Sequence, residues 1–340
     1  MIARVLHVVP ATADGRIPVF VERQIANLSD LGYEPAVVRF RGDFVSHNPR
    51  SLAAEVSAIR RDVRVRNPDI VHAHWGSLLA FTAGLATGPR TPFIVTFRGS
   101  DLNPVVTERT SRRLIRTTFS RCAAARATAV VCVSAQLEAR IRLHRGDVRV
   151  IPDGLDTTIF FPQDQALARS ELGWSPHERI VFLYQGGRPV EKGRPLADAA
   201  IASLQASGFA CRLEVLDSGV TRSHVAKLVT ASDCVLMLSD FEGSPNIVRE
   251  SIACGVPVVS VEVGDIARWL APENGSLIVD RSAAAVAAGI RKVCELDTPI
   301  PSSALLDSIS EASSARMLAD AYKYALAGGG RRLPLRRRLY

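Results

Sequence analysis

Ser239-Asp-Phe-Glu-Gly-Ser-Pro-Asn-Ile-Val-Arg-Glu-Ser-Ile-Ala-Cys-Gly-Val-Pro-Val-Val-Ser260, read with the apolar run Cys234 to Leu238 before it, gives strand, loop, helix, turn, strand. The run is long enough for a buried strand and too short for a helix. Glu242-Gly243-Ser244 breaks it. Pro245 suits the first helical position, where its missing N–H is no loss, and Ser244 before it suits the N-cap. Gly255 fits the left-handed residue after a helix, and Pro257 prevents continuation.

Such a turn makes an anion site. A helix N-terminus carries about half a positive charge and several unpaired N–H groups. Gly243 and Ser244 are small enough for close approach to the backbone. Glu250 lies roughly 7.5 Å further along the axis, at ~1.5 Å per residue. With a diphosphate at the N-terminus, a carboxylate there can accept bonds from two vicinal ribose hydroxyls. Glu242, in the loop, would face a transferred sugar. The plainer alternative is an ordinary helix with a surface glutamate.

Glu242-x7-Glu250, within Glu-Gly-Ser-Pro-Asn-Ile-Val-Arg-Glu-Ser-Ile-Ala-Cys-Gly-Val-Pro-Val-Val, resembles the signature of the retaining GT-B glycosyltransferases of family 4. Further stretches share the resemblance: Asp69-Ile-Val-His-Ala-His74, Ala129-Val-Val-Cys-Val-Ser134, Ile151-Pro-Asp-Gly-Leu-Asp…Phe160 and Gly187-Arg188…Lys192-Gly193. It covers nearly the whole chain. The implied fold is α/β: two Rossmann-like, doubly wound parallel-sheet domains facing across a cleft, with the donor nucleotide on the second and the acceptor on the first.

The residues alone support two domains. The chain has 340 residues, 47% of them hydrophobic and 22% charged, as in a folded soluble protein. No window is apolar enough to cross a membrane. The N-terminus reads as a first strand, without a signal peptide. Six scattered cysteines without a Cys-x-x-Cys suggest buried thiols in a cytoplasmic protein. Strands at 2–9, 35–40, 69–75, 93–97, 129–133 and 149–152 alternate with helices at 19–31, 52–66 and 108–126. The stretch 151–162, punctuated by Pro and Gly, precedes a new β/α series starting at Ile180. The expected division is 1–155, 156–327 and a basic, disordered tail at 328–340.

Charge is uneven. Residues 1–155 carry 22 arginines against 13 acids, residues 156–330 carry 15 basic residues against 21 acids, and the last ten residues add five arginines. A basic first half attracts phosphates or an anionic membrane. Nucleic acid is disfavoured, because the arginines are not interleaved with stacking aromatics.

Lys192 is one of four lysines beside 38 arginines, and it follows a glycine-rich loop, as a point charge for phosphate would. His72 and His74 alternate on a strand and share a face, but no third metal ligand follows at usable spacing. No Asp-x-Asp, Gly-x-Gly-x-x-Gly or P-loop is present, so neither a metal nor another cofactor is expected.

The resemblance assigns roles. Arg188 and Lys192 would stabilise the leaving diphosphate, with Gly187 and the amides of Gly243, Ser244, Pro245-Asn246, Ile247 and Val248 around it. Glu250 would hold the ribose and Glu242 the donor sugar. Gly15, in a short first loop, would allow close approach. The family commonly has a histidine after strand four; here Arg98 stands there, in Thr96-Phe-Arg-Gly-Ser-Asp101. An arginine is no general base, though it can bind an anionic group or pair with Asp101. Arg98, Asp101 and His74 form the expected acceptor side. The implied activity is metal-independent, retaining transfer of a sugar from a nucleotide to a glycan or lipid-linked hydroxyl, in polysaccharide or glycolipid synthesis. The basic first half and the five arginines after Gly328-Gly-Gly330 point to a location on or near the cytoplasmic membrane face, which suits a lipid-linked acceptor. An epimerase of the same fold and a non-catalytic nucleotide-sugar-binding module are the alternatives.

Overall fold

A computed structural model describes residues 2–11, 16–41, 48–104, 108–141, 146–217, 219–270, 274–295 and 303–328. The chain divides into two units, residues 1–154 with 311 onward, and residues 155–310.

The first unit alternates β1 (Ala3–Pro10), α1 (Val19–Asp30), β2 (Tyr33–Phe40), α2 (Pro49–Arg66), β3 (Ile70–His74), α3 (Ser77–Ala86), β4 (Phe93–Phe97), α4 (Thr110–Arg126), β5 (Ala129–Cys132), α5 (Ala135–Glu138) and β6 (Asp147–Val150). Its parallel sheet runs β2-β1-β3-β4-β5-β6. β3, β4 and β5 are buried throughout, as strands covered on both faces must be. Alternate residues serve different cores. Leu6, Val8, Val71, Ala73 and Val95 join one cluster; Val5, Ile70, Ile94 and Val131 join another.

The second unit continues with α6 (Gln165–Leu172), β7 (Ile180–Tyr184), α7 (Arg194–Ala206), β8 (Arg212–Leu216), α8 (Arg222–Ala231), β9 (Cys234–Met237), α9 (Asn246–Ala253), β10 (Val258–Ser260), a 3₁₀ turn at Ile266–Arg268, β11 (Leu277–Ile278), α10 (Ala283–Cys294) and α11 (Ser303–Ile309). Its parallel sheet runs β11-β10-β9-β7-β8. In each sheet the strand order reverses once, between β1 and β3 and between β7 and β9. Ligands of open α/β sheets bind beyond the carboxyl ends of the strands at such a reversal. In the second unit, those ends lead into residues 185–193 and 238–245.

The last helix, α12 (Glu311–Leu326), departs from the expected division, which placed 156–327 in the second domain. Ala315, Leu318, Tyr322 and Ala325 recur every three or four residues and are buried, the last three against the Val5–Ile70–Ile94 face of the first sheet. Burying one such large side chain contributes about 1.5–3 kcal/mol, so the stripe belongs where an open sheet face awaits it. Tyr33 Oη donates to the Ala319 carbonyl, and Arg23 pairs with Glu311, tying the start and the middle of α12 to the first unit. The first boundary falls between Gly154 and Leu155. No helix of the described residues is long and apolar enough to cross a membrane. The basic tail beyond 328 and Gly15 lie outside the described residues.

Candidate active site

In the second unit, the β7–α7 loop carries Gly186 and Gly187 at φ 53° and 70°. A Cβ on Gly187 would meet nothing within 4 Å, so the loop presents bare backbone there. Gly193 is different: at φ 75°, its Cβ would lie 2.3 Å from the Leu238 carbonyl oxygen. The loop therefore sits directly on the chain leaving β9. The Asp240 amide donates to the Glu191 carbonyl at 2.9 Å and fixes the two loops together.

This junction brings Lys192 to Glu242. Nζ and Oε1 are 2.5 Å apart, with both side chains about one-sixth exposed. Arg188 points outward instead, 57% exposed, with Nη1 3.5 Å from the Glu191 carboxylate. The structure thus joins Lys192 and Glu242 and leaves Arg188 at the rim.

α9 begins one residue later than expected. Pro245 is its N-cap, and no side chain caps it. Ser244 Oγ donates to Asp265 Oδ2 at 2.8 Å. Ser244 is therefore not the cap, because the Asp265 carboxylate takes its hydroxyl. The Val248 amide donates to the Pro245 carbonyl at 3.3 Å. The first turn remains free of side-chain acceptors, and its partial positive charge faces the loop. Arg249 is buried, bonding Asn246 Oδ1 and lying over the Trp269 ring.

Glu250 lies near Arg222 at the start of α8: Nη2 and Oε1 are 3.6 Å apart. Burial pushes the Glu250 carboxyl up, and Arg222 and Arg249 counter it. Burial also raises Asp265, opposed by Trp269 and Ser244. Sequence reasoning missed Asp265 and Arg222. Gly264 was a usable signal for the first: its Cβ would lie 3.0 Å from the Gly243 carbonyl oxygen. Nothing local marks Arg222, which reaches Glu250 only through the fold.

In the first unit, the expected acceptor-side residues meet at the end of β3 and β4. Asp101 is fully buried and accepts from the amides of Gly76, Arg98 and Gly99. Burial still raises its carboxyl overall. Arg98 pairs with Asp153, not with Asp101, and also reaches Gln24 and lies 4.6 Å over the Phe20 ring. Trp75 and Ser77 hold positive φ, 138° and 60°, at the turn into α3. Such strain in non-glycine residues persists only where the surroundings impose it, here Asp101 on Gly76 and Ser120 on Ser77.

His74 has two histidine neighbours. β1 places His7 opposite His72, and the three rings offer nitrogens within 4.8 Å of one another. The third histidine, not visible from spacing along one strand, comes from the neighbouring strand. The hydrogen bonds fix the tautomers. Arg98 Nη2 can only donate, so it donates to His74 Nδ1 at 3.3 Å. His74 then donates from Nε2 to His7 Nδ1 at 2.9 Å, and His7 carries its proton on Nε2. His72 spends both nitrogens on Tyr322 Oη and Thr96 Oγ1, each at 2.7 Å. The cluster is a hydrogen-bond chain beside a guanidinium, a poor match for a cation. Burial lowers His7 to about 3, and His72 and His74 well below the usual range.

Two family models match this chain, Glycosyltransferase Family 4 over residues 7–159 and Glycosyl transferases group 1 over residues 175–295. The chain is 28% identical over 255 residues to TuaC of Bacillus subtilis (strain 168), named for a teichuronic acid biosynthesis glycosyltransferase, covering 69% of this chain and 64% of TuaC. It is 22% identical over 223 residues to the N-acetyl-alpha-D-glucosaminyl L-malate synthase of Bacillus anthracis, covering 59% of this chain and 58% of that one. The chain thus spans less than two thirds of the length of these relatives. Among solved structures, sucrose-phosphate synthase from Thermosynechococcus elongatus superposes with a TM-score of 0.74 at 16% identity, over 96% of this chain and all of that one. HepE of Anabaena, in complex with UDP and glucose, gives 0.68 at 14% identity, over 94% and 99%. These likenesses are of fold.

Proposed function

The chain belongs to the family 4 glycosyltransferases of GT-B fold, and from that membership we propose that it transfers a sugar, with retention, from a nucleotide donor to a hydroxyl acceptor. The observation that carries this reading is the junction of Lys192, Glu242 and the uncapped N-terminus of α9 at the strand-order reversal. A diphosphate placed there meets Lys192, the α9 amides and, on loop movement, Arg188. The C1–O bond to the diphosphate breaks, and the acceptor oxygen bonds C1 on the same face. The acceptor's proton passes to the leaving phosphate oxygen. Lys192 and the helix amides then stabilise charge that grows as the bond breaks. Glu242 orients the sugar hydroxyls and Glu250 the ribose.

The UDP complexes of fold relatives such as HepE support a nucleotide-sugar donor. Thermal-shift screening with UDP, GDP, ADP and dTDP tests it. A ligand at 100 times its Kd stabilises by about 2.7 kcal/mol. Transfer from the matching nucleotide sugar should survive EDTA, since Lys192 and the helix meet the phosphate charge. Loss on chelation with recovery on adding manganese would reject that mechanism.

The acceptor belongs to cell-surface polysaccharide or glycolipid synthesis in this reading, which the arginine-rich first unit and TuaC's name support. Peripheral binding to an anionic cytoplasmic membrane face follows, at roughly 1 kcal/mol per basic residue near the surface. Co-sedimentation with phosphatidylglycerol vesicles should fall when residues 328–340 are removed. Equal pelleting by both chains would exclude the tail.

A further inference from the structure

The Arg222–Glu250 pair has unusual geometry. At 3.6 Å, it is too long for a hydrogen bond and short enough for strong Coulomb attraction. The guanidinium therefore favours the charged form of Glu250 without occupying the oxygen lone pairs a ligand would use. Arg222 is itself held in place. It heads α8 behind the Thr221 cap, and its guanidinium lies 5.2 Å over the Phe160 ring. Its buried Nε has no hydrogen-bond partner among the described residues. The Glu250 side chain is 12% exposed, so an uncompensated charge there would be costly.

We infer that Arg222 is a positioning residue of the donor site, which holds Glu250 as an acceptor-only carboxylate and so selects ribonucleoside-diphosphate sugars over 2′-deoxyribonucleoside ones. This rests on Glu250 being the ribose ligand. A vicinal diol offers that carboxylate two O–H donors; a deoxyribose offers one and leaves a buried charge half-satisfied. The other groups bearing on Glu250 are Arg249 on α9, Tyr184 on β7 and Cys254 at the end of α9. Arg249 keeps its charge while bonded to the neutral Asn246 and also favours the carboxylate, though less than Arg222, while Tyr184 and Cys254 are raised by burial and stay neutral near pH 7. Arg222 is therefore the cation whose removal changes the balance most.

Calorimetric titration of UDP and 2′-deoxy-UDP (or the GDP or ADP pair, whichever the thermal screen selects) tests this at about pH 6, 7 and 8. The ratio of the two affinities cancels ionisation of the phosphate itself. The parent protein should prefer the ribonucleotide by about tenfold or more at each pH. In Arg222→Met, Glu250 loses its cation, its carboxyl rises further, and the preference should shrink as pH falls from 8 to 6. Arg222→Lys should keep the parent's ratio. If Arg222→Met matches the parent at pH 6 while Glu250→Gln loses the preference, the role of Arg222 is rejected and the ribose reading stands. If Glu250→Gln binds both nucleotides as the parent does, the ribose reading itself fails. Should Arg222→Met not fold, a ¹³C titration of the Glu250 carboxyl in the parent decides: charged at pH 6 supports the inference, protonated overturns it.

Discussion

The two glutamates of the α9 loop differ in what surrounds them, and that difference separates their roles. Glu242 is already paired with Lys192, so a bound diphosphate must share that lysine and release part of the carboxylate toward the sugar. Glu250 keeps open lone pairs beside Arg222. Glu250→Ala removes charged hydrogen bonds of about 1.5–3 kcal/mol each, so nucleoside diphosphate binding should weaken at least about tenfold. Glu242→Ala should bind the nucleoside diphosphate nearly as well as the parent yet turn over poorly, because its contacts matter most as the glycosidic bond breaks. Calorimetry alongside turnover, on variants shown to be folded, checks both. Parent-like binding by Glu250→Ala, or parent-like turnover by Glu242→Ala, would remove that residue from the site.

At the scale of elements, the loops at the strand ends govern both stability and ligand access, and two glycines of one loop separate these effects. Gly193→Ala forces a Cβ onto the Leu238 backbone at a left-handed φ, costing roughly 2 kcal/mol or more and disturbing Lys192 beside it. Gly187→Ala meets no neighbour and bears only the left-handed cost of about 1 kcal/mol, but its methyl stands where a diphosphate would approach. Melting should fall mainly for the first variant. Nucleotide binding should fall for the second with little loss of stability; unimpaired binding by Gly187→Ala would take the loop off the phosphates. These loops were legible in the sequence because Gly, Pro and a retained lysine mark them. β4 was legible too, with bounds matching the structure, as was the start of β7 at Ile180, because period and punctuation agree. α3 was not. Ser-Leu-Leu-Ala-Phe-Thr-Ala-Gly-Leu-Ala is apolar on nearly every side, and a helix buried all round has no amphipathic stripe to read. α12 fell inside the stretch assigned to the second domain, since a stripe says that a face is buried and not against what. His7, Asp265 and Arg222 were missed for a related reason: each meets its partner across strands or between loops, where sequence spacing carries no information.

For the molecule as a whole, the two units should respond differently to acid. The buried histidines of the described residues, His7, His72 and His74, all lie in the first unit, neutral in the core. Their folded values lie below the ~6.5 of an unfolded histidine. Below that value the unfolded chain takes up protons that the folded chain excludes, so stability falls with falling pH. Each histidine contributes up to about 1.4 kcal/mol per pH unit in that window. Above about pH 6.5 the contribution is constant. Asp101, with its carboxyl raised above the unfolded value, acts in the opposite sense, and as one group it offsets only part of what three histidines contribute. The window in which the histidines act opens at about pH 6.5 and extends downward. Scanning calorimetry through it should show the first unit's transition moving down more steeply than the second's. His7→Gln removes one titrating group, and its carbonyl can still accept from His74 Nε2. It should reduce the pH slope of the first transition by roughly a third, whatever it does to stability at pH 8. An unchanged slope would mean that His7 is protonated inside the fold, against the hydrogen-bond chain that starts at Arg98.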